Sequence, residues 1–206
     1  MKHVNSTTGD SNPPAWAEGV LRVMLGPADR ETISGDLLEE YRETVRPSRG
    51  RARADAWYVR QAAGFVWRRA WPWAVSLAAA VVGRDVLDWR LSPTTEFYAR
   101  SVASTLIAVS IFTGAGAWSA WRSRSVGAGA LAGFAAGAIS AAIVNVASLA
   151  QIAVWHDPHT MSMIAAGGGL EEVFVLPLMV IVPGTMCALV GGLVGKTVAC
   201  MCGRPT

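Results

Sequence analysis

The chain has 206 residues and a formal net charge of +3, with 52% apolar residues and only 16% charged residues. Ordinary soluble domains carry about 25% charged residues, so this composition excludes a domain of that kind. The small net charge gives no basis for nucleic-acid binding, and we expect no nucleic-acid partner. Residues 1–70 hold 11 of the 18 Lys and Arg and 9 of the 15 Asp and Glu, which predicts a polar head followed by an apolar body.

The polar head begins with a tail, 1–12, that lacks the apolar run of a signal peptide and is predicted to be disordered. Residues 13–68 are predicted to form three cytoplasmic helices. The first ends at Gly26 and Pro27, and the second, with an apolar residue at every fourth position, ends at Pro47. Those apolar positions are Ile33, Leu37, Tyr41 and Val45. The third helix can continue directly into the first membrane span.

Two segments of the head resemble a known family: "PPAWAEGVLRVMLGPADRETISGDLLEEYRE" and "ARADAWYVRQ". Over roughly residues 13–65 they resemble the N-terminal permease prefix domain, a small cytoplasmic helical module found ahead of macrolide-exporter-like ABC permeases in bacteria. The matching residues are Pro14, Leu21, Leu25, Pro27, Arg30, Gly35, Asp36, Leu37, Glu39, Glu40, Tyr41, Trp57, Tyr58, Arg60 and Gln61. The resemblance implies a docking module, and we expect its surface on the acidic second helix, at Asp36, Glu39, Glu40 and Tyr41.

The resemblance is confined to the head. In those permeases a large extracytoplasmic domain follows the first span, and this chain has no room for one between its apolar runs. The resemblance therefore implies a location and a docking role, and it does not carry transport activity over to this chain.

A basic run lies between the head and the apolar body, with six arginines against a single acid, Asp55. The arginines are Arg49, Arg51, Arg53, Arg60, Arg68 and Arg69. Arginines beside a membrane are attracted to anionic head groups by about 1 kcal/mol each, so we expect Arg60, Arg68 and Arg69 to contact membrane lipids. The same charges favour a cytoplasmic position for this end of the apolar body.

The apolar body, residues 69–202, contains four segments suited to crossing a bilayer core, which needs about 20 helical residues. They run over about 71–88, 99–121, 126–155 and 173–200. None alternates apolar and polar residues as strands do, so the predicted fold is all-α, with a three-helix head followed by a four-helix transmembrane bundle. Tryptophans near the predicted ends of the spans agree with this count.

The charges between the spans predict their orientation. Arg122 and Arg124 join the second and third spans, whereas the segments 88–98 and 156–172 carry mostly acids. Because basic residues stay on the cytoplasmic side, we predict a multi-pass protein of the bacterial inner membrane with both termini in the cytoplasm.

Small and polar residues within the spans are candidate packing and functional sites. Gly129, Gly133, Gly137 and Ala141 form a stripe that lets another helix approach closely, either from the same chain or from a second copy in a homo-oligomer. The intramembrane polar candidates are Arg84, Asp85 and Asn145. Such residues either mark a pathway through the membrane or form hydrogen bonds between neighbouring helices.

No residue pattern predicts catalysis, and we expect neither an enzyme nor a cofactor. His156, Asp157 and His159 lack the helical H-E-x-x-H zinc motif, and Pro158 is expected to exclude a helix, so we predict a polar loop without metal. The pair Glu171–Glu172 resembles that of intramembrane proteases of the prenyl-endopeptidase type, but the arginine that follows in those enzymes is absent. The start of a helix accounts for both acids.

The leading prediction is a non-catalytic integral membrane protein whose head docks a protein partner and which is accessory to a permease or efflux complex. Two alternatives stay open. The spans could form a small oligomeric transporter or channel, for which Arg84 and Asp85 are the motivation. The head could instead hold a regulatory protein at the membrane.

Overall fold

The computed structural model describes residues 12–90 and 97–202, and within those ranges it consists of helices without a strand, which confirms the all-α class. The predicted tail 1–12 lies, except for Asn12, outside the described residues. The helices are α1 Ala15–Met24, α2 Pro27–Glu40, a π-helical turn Tyr41–Val45, α3 Arg46–Arg49, α4 Arg51–Arg90, α5 Phe97–Ser123, α6 Val126–Val154, α7 Pro158–Ala166, α8 Gly169–Met179 and α9 Ile181–Met201. The chain divides into two compact units between Phe65 and Val66.

The second predicted helix of the head passes through Pro47 instead of ending there. The π-helical turn follows α2 directly and runs into α3, so the helical stretch is continuous and Pro47 lies just after the turn, where the regular i→i−4 bonding is already interrupted. The helix ends at Gly50, whose φ of 74° lies in the left-handed region that favours glycine. The third predicted head helix is α4, which continues without a break to Arg90.

The head unit has an aromatic core. Leu21 from α1, Tyr41 from the π-helical turn and Tyr58 from α4 are fully buried. The rings of Tyr41 and Tyr58 meet edge to face with their centroids 5.7 Å apart, a geometry that adds about 1 kcal/mol to the effect of burial. Ile33 and Leu37, two apolar positions of the predicted four-residue repeat, pack against this core while partly buried.

The second unit has a core of small residues. The buried residues of α9 are Gly184, Ala188, Gly191, Gly192, Gly195 and Ala199. They lie so close to α5 that a Cβ added to Gly191 would overlap the backbone carbonyl of Thr113, and one added to Gly195 would overlap that of Ala117. Two helix backbones can approach this closely only where at least one of them carries residues as small as glycine at the contact.

The predicted small-residue stripe of α6 lies in the same core. Gly129, Gly133 and Gly137 are buried. A Cβ added to Gly129 would come within 2.8 Å of the carbonyl oxygen of Gly116 in α5 and 3.1 Å from Gly192 in α9. The structure therefore places this stripe against α5 and α9 of the same chain.

Large apolar side chains face outward from the second unit. Leu106 in α5, Phe134 and Val146 in α6 and Leu193 in α9 are between 51% and 70% exposed. In water-soluble proteins the large apolar side chains are the ones most often buried. In the second unit glycine and alanine make up most of the buried residues, beside a few large ones such as Phe112 and Val144, and many leucine and valine side chains are exposed.

Three helical segments of the described chain are long and apolar enough to cross a membrane. They are Tyr98–Ser123, Val126–Val154 and Gly169–Met201, the last of which joins α8 to α9. The predicted first span, 71–88, lies within α4 and is not among them. Charged residues in the last turns of α4 lower its hydropathy, namely Arg84, Asp85, Asp88 and Arg90.

The predicted fourth span, 173–200, is broken near its start. Helix α8 ends at Met179 and α9 begins at Ile181. Pro183 has no N–H to donate to the carbonyl of Met179, and this lost hydrogen bond lies at the interruption. The preceding segment, predicted to be a polar loop, contains α7, and Pro158 begins this helix instead of excluding it.

Gly191→Ala is expected to destabilise the second unit. The new Cβ overlaps a backbone carbonyl, which cannot swing aside as a side chain would, and overpacking of this kind costs about 1–3 kcal/mol. Gly83→Ala is the matched control, because a Cβ at Gly83 meets nothing within 4 Å and alanine favours a helix by about 1 kcal/mol. Thermal unfolding in mild detergent should show a lower midpoint for Gly191→Ala alone. Equal midpoints in the two variants would contradict the packing.

Candidate functional site

Three of the four residues predicted for the docking surface lie on the outside of α2. Asp36, Glu39 and Glu40 are exposed, and we call them the acidic surface. Tyr41 is completely buried, so the prediction that it lies on that surface is wrong. Its ring belongs to the aromatic core, and its hydroxyl donates a hydrogen bond to Oδ1 of Asp55 at 2.5 Å.

The hydrogen bond between Tyr41 and Asp55 joins the π-helical turn to α4. Burial, then the hydrogen bond to Asp55 and its negative charge, raise the pKa of Tyr41 from 10.0 to about 12. Burial also raises the pKa of Tyr58. The folded head therefore favours the protonated, neutral form of both phenols.

Two of the three arginines predicted to contact lipid, Arg60 and Arg68, are exposed. Arg69 is half-buried, and its Nη1 donates a 3.4 Å hydrogen bond to the carbonyl oxygen of Ser119 near the end of α5. Carbonyl groups at the C-terminal end of a helix attract cations, so Arg69 stabilises the contact between α4 and α5.

A network of three charged residues joins the end of α4 to α5. Asp88 accepts one hydrogen bond from Nε of Arg84 at 3.1 Å and another from Nε of Arg100 at 3.0 Å. All three side chains are largely buried. A buried carboxylate is tolerated when its oxygens are paired, and here each oxygen receives one guanidinium group.

Beside this network lies a cavity with two parts. The first part, which we call the apolar chamber, has a volume of about 240 Å³ and lies among α4, α5, α6, α8 and α9. Residues that line it include Leu77, Ala108, Phe112, Gly137, Ala141 and Pro177. Two members of the predicted small-residue stripe, Gly137 and Ala141, thus form part of its wall.

The second part of the cavity, which we call the vestibule, has a volume of about 440 Å³ and lies among α4, α7 and α8. Its polar and aromatic lining residues are Arg84, Asp85, Asp88, Trp89 and Glu172. Arg84 lines the apolar chamber as well, so the two parts adjoin at this residue. The structure thereby brings Arg84 and Asp85, two of the predicted intramembrane polar residues, to one site.

A glycine turn places Glu172 in the vestibule. Gly168 has a φ of 113°, and a Cβ there would overlap the carboxylate of Glu172, so only a bare backbone lets this side chain fold over the turn. Within the described ranges no hydrogen bond or ion pair engages the side chain of Asp85 or Glu172. These two carboxylates are therefore available to a molecule that enters the vestibule.

Asn145, the third predicted intramembrane polar residue, belongs to a separate group of buried polar atoms on α6. Oδ1 of Asn145, Oγ of Ser148 and Oε1 of Gln151 are buried without a hydrogen-bond partner among the described residues. Residues three apart lie on one side of a helix, so these atoms form a polar stripe. Each unpaired buried group costs about 1–3 kcal/mol.

Asp157 caps α7 with two hydrogen bonds. It accepts from the backbone nitrogen of Thr160 at 3.1 Å and from its Oγ1 at 2.8 Å. These bonds, with a smaller contribution from Arg90, lower the pKa of Asp157. Arg90 lies 3.8 Å from the Asp157 carboxylate and 4.8 Å from the ring centre of Trp155.

In the described part of the chain no group of three or more His, Cys, Asp or Glu side chains is placed to hold a metal ion.

Two features of the site were missed from the sequence. Arg100 was not assigned to the site because it pairs with Asp88 on another helix, and the spacing of residues along the sequence does not indicate such a contact. The small residues of α9 did carry a signal, since Gly184, Ala188 and Gly191 recur at helical spacing in "GTMCALVG".

Comparison with protein-family models, with curated proteins and with solved structures found no match to this chain.

Tyr41→Phe is expected to remove the alkaline sensitivity that this residue gives the head. Because folding raises the pKa of Tyr41 from 10.0 to about 12, its contribution to stability is complete below pH 10 and is lost as the pH rises through 12. Urea unfolding of the head, followed by near-ultraviolet circular dichroism, should show a smaller loss of stability between about pH 9 and about pH 12 in the variant. At neutral pH the variant should lose about 1.5 kcal/mol, the contribution of a hydrogen bond to a charged acceptor.

Tyr98→Phe is the matched control for Tyr41→Phe, because the side chain of Tyr98 is 82% exposed. Ultraviolet titration of the wild type should show tyrosine ionisation above the ordinary range, and its amplitude should fall by one tyrosine in Tyr41→Phe, leaving the contribution of Tyr58, and stay unchanged in Tyr98→Phe. A fall of this amplitude in Tyr98→Phe instead would contradict the assignment to Tyr41.

Proposed function

We propose that the protein is a multi-pass protein of the bacterial inner membrane with its head and both termini in the cytoplasm. The observation that supports this most is the distribution of side chains in the second unit, where small residues are buried and large apolar residues are exposed. Exposed apolar surface costs about 25 cal/mol per Å² in water, and lipid tails remove this cost. Four spans, the first over 71–88, also keep Arg122 and Arg124 on the cytoplasmic side.

Cysteine labelling tests this topology. Cys202 is exposed after the end of α9, and Glu31 and Ser162 are exposed in α2 and α7. Single-cysteine variants that keep Cys202, or that carry Glu31→Cys or Ser162→Cys, are treated in intact spheroplasts with a membrane-impermeant maleimide. We expect labelling of Ser162→Cys alone, because it lies between the third and fourth spans.

The control for this experiment is labelling after the membrane is opened, which should reach all three cysteines. Labelling of both Glu31→Cys and Ser162→Cys in intact spheroplasts, with Cys202 protected, would show that α4 does not cross and that only three spans exist. Labelling of Cys202 with protection of Ser162→Cys would invert the proposed orientation.

The head supports a docking role through the acidic surface. Helix α2 contains no fully buried residue, and its exposed side includes Asp36, Glu39 and Glu40. Complementary charge raises the rate at which a basic partner associates. We assign the chain as a non-catalytic accessory of a permease or efflux complex, whose permease or ATPase subunit contacts this surface. The resemblance of the head to the permease prefix domain supports the same class of partner.

Charge reversal on the acidic surface tests the docking. A photocrosslinking residue in place of the exposed Glu39 is expected to capture a permease or ATPase subunit in cells. Asp36→Lys combined with Glu40→Lys should reduce this capture at least about tenfold, because like charges then meet across the interface. Glu31→Lys, an exposed position on a different side of α2, should leave it unchanged. Capture that survives the double reversal would refute docking through this surface.

A small oligomeric transporter or channel is the second candidate, and the cavity beside Arg84 favours it. Charged residues that line a cavity within a membrane often mark a pathway. The break between α8 and α9 lies at the same place, since Val180 and Pro183 line the apolar chamber. Interrupted helices in membrane proteins occur where the backbone borders a cavity, as it does here.

A further inference from the structure

The cavity beside the charged network combines an apolar interior with an acidic entrance. Leu77 and Phe112 contribute to the wall of the apolar chamber. The hydroxyl groups of Ser104 and Thr105, which also line it, already donate to the carbonyl oxygen of Ser101. Apart from Arg84 and Ser140, which also line it, the apolar chamber therefore offers a ligand mainly hydrophobic contact.

The vestibule carries an excess of negative charge. Its lining contains the carboxylates of Asp85, Asp88 and Glu172 against the single guanidinium group of Arg84. When Arg100 is counted, which contacts Asp88 at 3.0 Å, the acids still outnumber the bases by three to two. Because Asp88 is shared by the two arginines, Asp85 and Glu172 are left to face a ligand. A positive charge that approaches these carboxylates is attracted to both of them.

One aromatic side chain also contributes to the lining of the vestibule. Trp89 lines it beside the acids and is only 6% exposed, so its indole ring is held within the protein. The face of an indole ring attracts ammonium groups, and it does so more strongly where water is excluded. Acids and an aromatic ring together form the usual surroundings of a bound ammonium ion.

We propose that the cavity binds a small lipophilic cation, with its ammonium group in the vestibule near Asp85 and Glu172 and its apolar part in the apolar chamber. An anion would be repelled by the carboxylates, and a neutral molecule would leave them without a partner. The volume of about 240 Å³ suits a single aromatic ring better than a drug-sized molecule. The proposal does not depend on docking by the head, because every lining residue belongs to the second unit.

Phenyltrimethylammonium is a suitable probe because it joins one aromatic ring to a permanent positive charge. Its binding to the full chain in phosphatidylcholine nanodiscs is measured by isothermal titration calorimetry, with benzenesulfonate as an anion of similar size. We expect the cation to bind at least about tenfold more tightly than the anion, because the acids that line the vestibule attract a cation and repel an anion.

Glu172→Gln and Glu171→Gln form a matched pair, because both glutamates are exposed at the start of α8 and, of the two, Glu172 lines the vestibule. We expect Glu172→Gln to weaken cation binding at least about fivefold and Glu171→Gln to leave it unchanged. Ala108→Phe fills the apolar chamber and should abolish binding. Ala103→Phe, at an exposed position of the same helix, should not.

Equal affinity for the two probes, or equal losses in the two glutamate variants, would overturn the proposal. Native mass spectrometry of the full chain provides a further test. A bound phospholipid that is lost in Ala108→Phe but is not displaced by phenyltrimethylammonium would also overturn the proposal, since a lipid then occupies the apolar chamber. If Ala108→Phe does not fold, the comparison of cation binding by Glu172→Gln and Glu171→Gln still tests the proposal. Both of these changes are at exposed positions and conserve side-chain size.

Discussion

Backbone contact between α9 and α5 is the constraint on which the rest of the second unit depends. Gly191 and Gly195 face the carbonyl groups of Thr113 and Ala117 with no room for a methyl group. Helices this close leave no space between them for large side chains, which must then point away from the contact. The packing that closes the core therefore also creates the apolar outer surface, and a surface of that kind is stable in lipid and unstable in water.

The two units bury their cores by opposite means. The head unit surrounds Tyr41 and Tyr58 with apolar side chains and leaves charged residues outside, as water requires. The second unit is held together by contacts between small residues, because lipid provides no hydrophobic force to drive large side chains inward. One chain therefore contains a unit packed as proteins are in water and a unit packed as proteins are in lipid. The change occurs near the unit boundary between Phe65 and Val66.

Helices α5 and α6 could be predicted closely from the sequence because long apolar runs leave the backbone little choice within a membrane. Predictions failed where one residue had two possible roles. Pro47 was expected to end a helix and Pro158 to exclude one, yet Pro47 lies in a continuous helical stretch after a π-helical turn, and Pro158 begins α7, where the missing N–H has no partner to lose. Tyr41 belonged both to an acidic run, which predicted exposure, and to an apolar four-residue repeat, which predicted burial. The side chain is buried in the aromatic core.

The candidate site could be predicted only where its contacts are local. The pairing of Arg84 with Asp88 follows from their spacing of four residues, whereas the contact of Arg100 with Asp88 depends on how two helices pack. The cavity also requires the left-handed backbone at Gly168 and the helix break at Val180. Buried charges, a turn that excludes side chains and lost backbone hydrogen bonds each weaken a unit that otherwise needs only close packing. All three meet beside one cavity, which is where the proposed cation would bind.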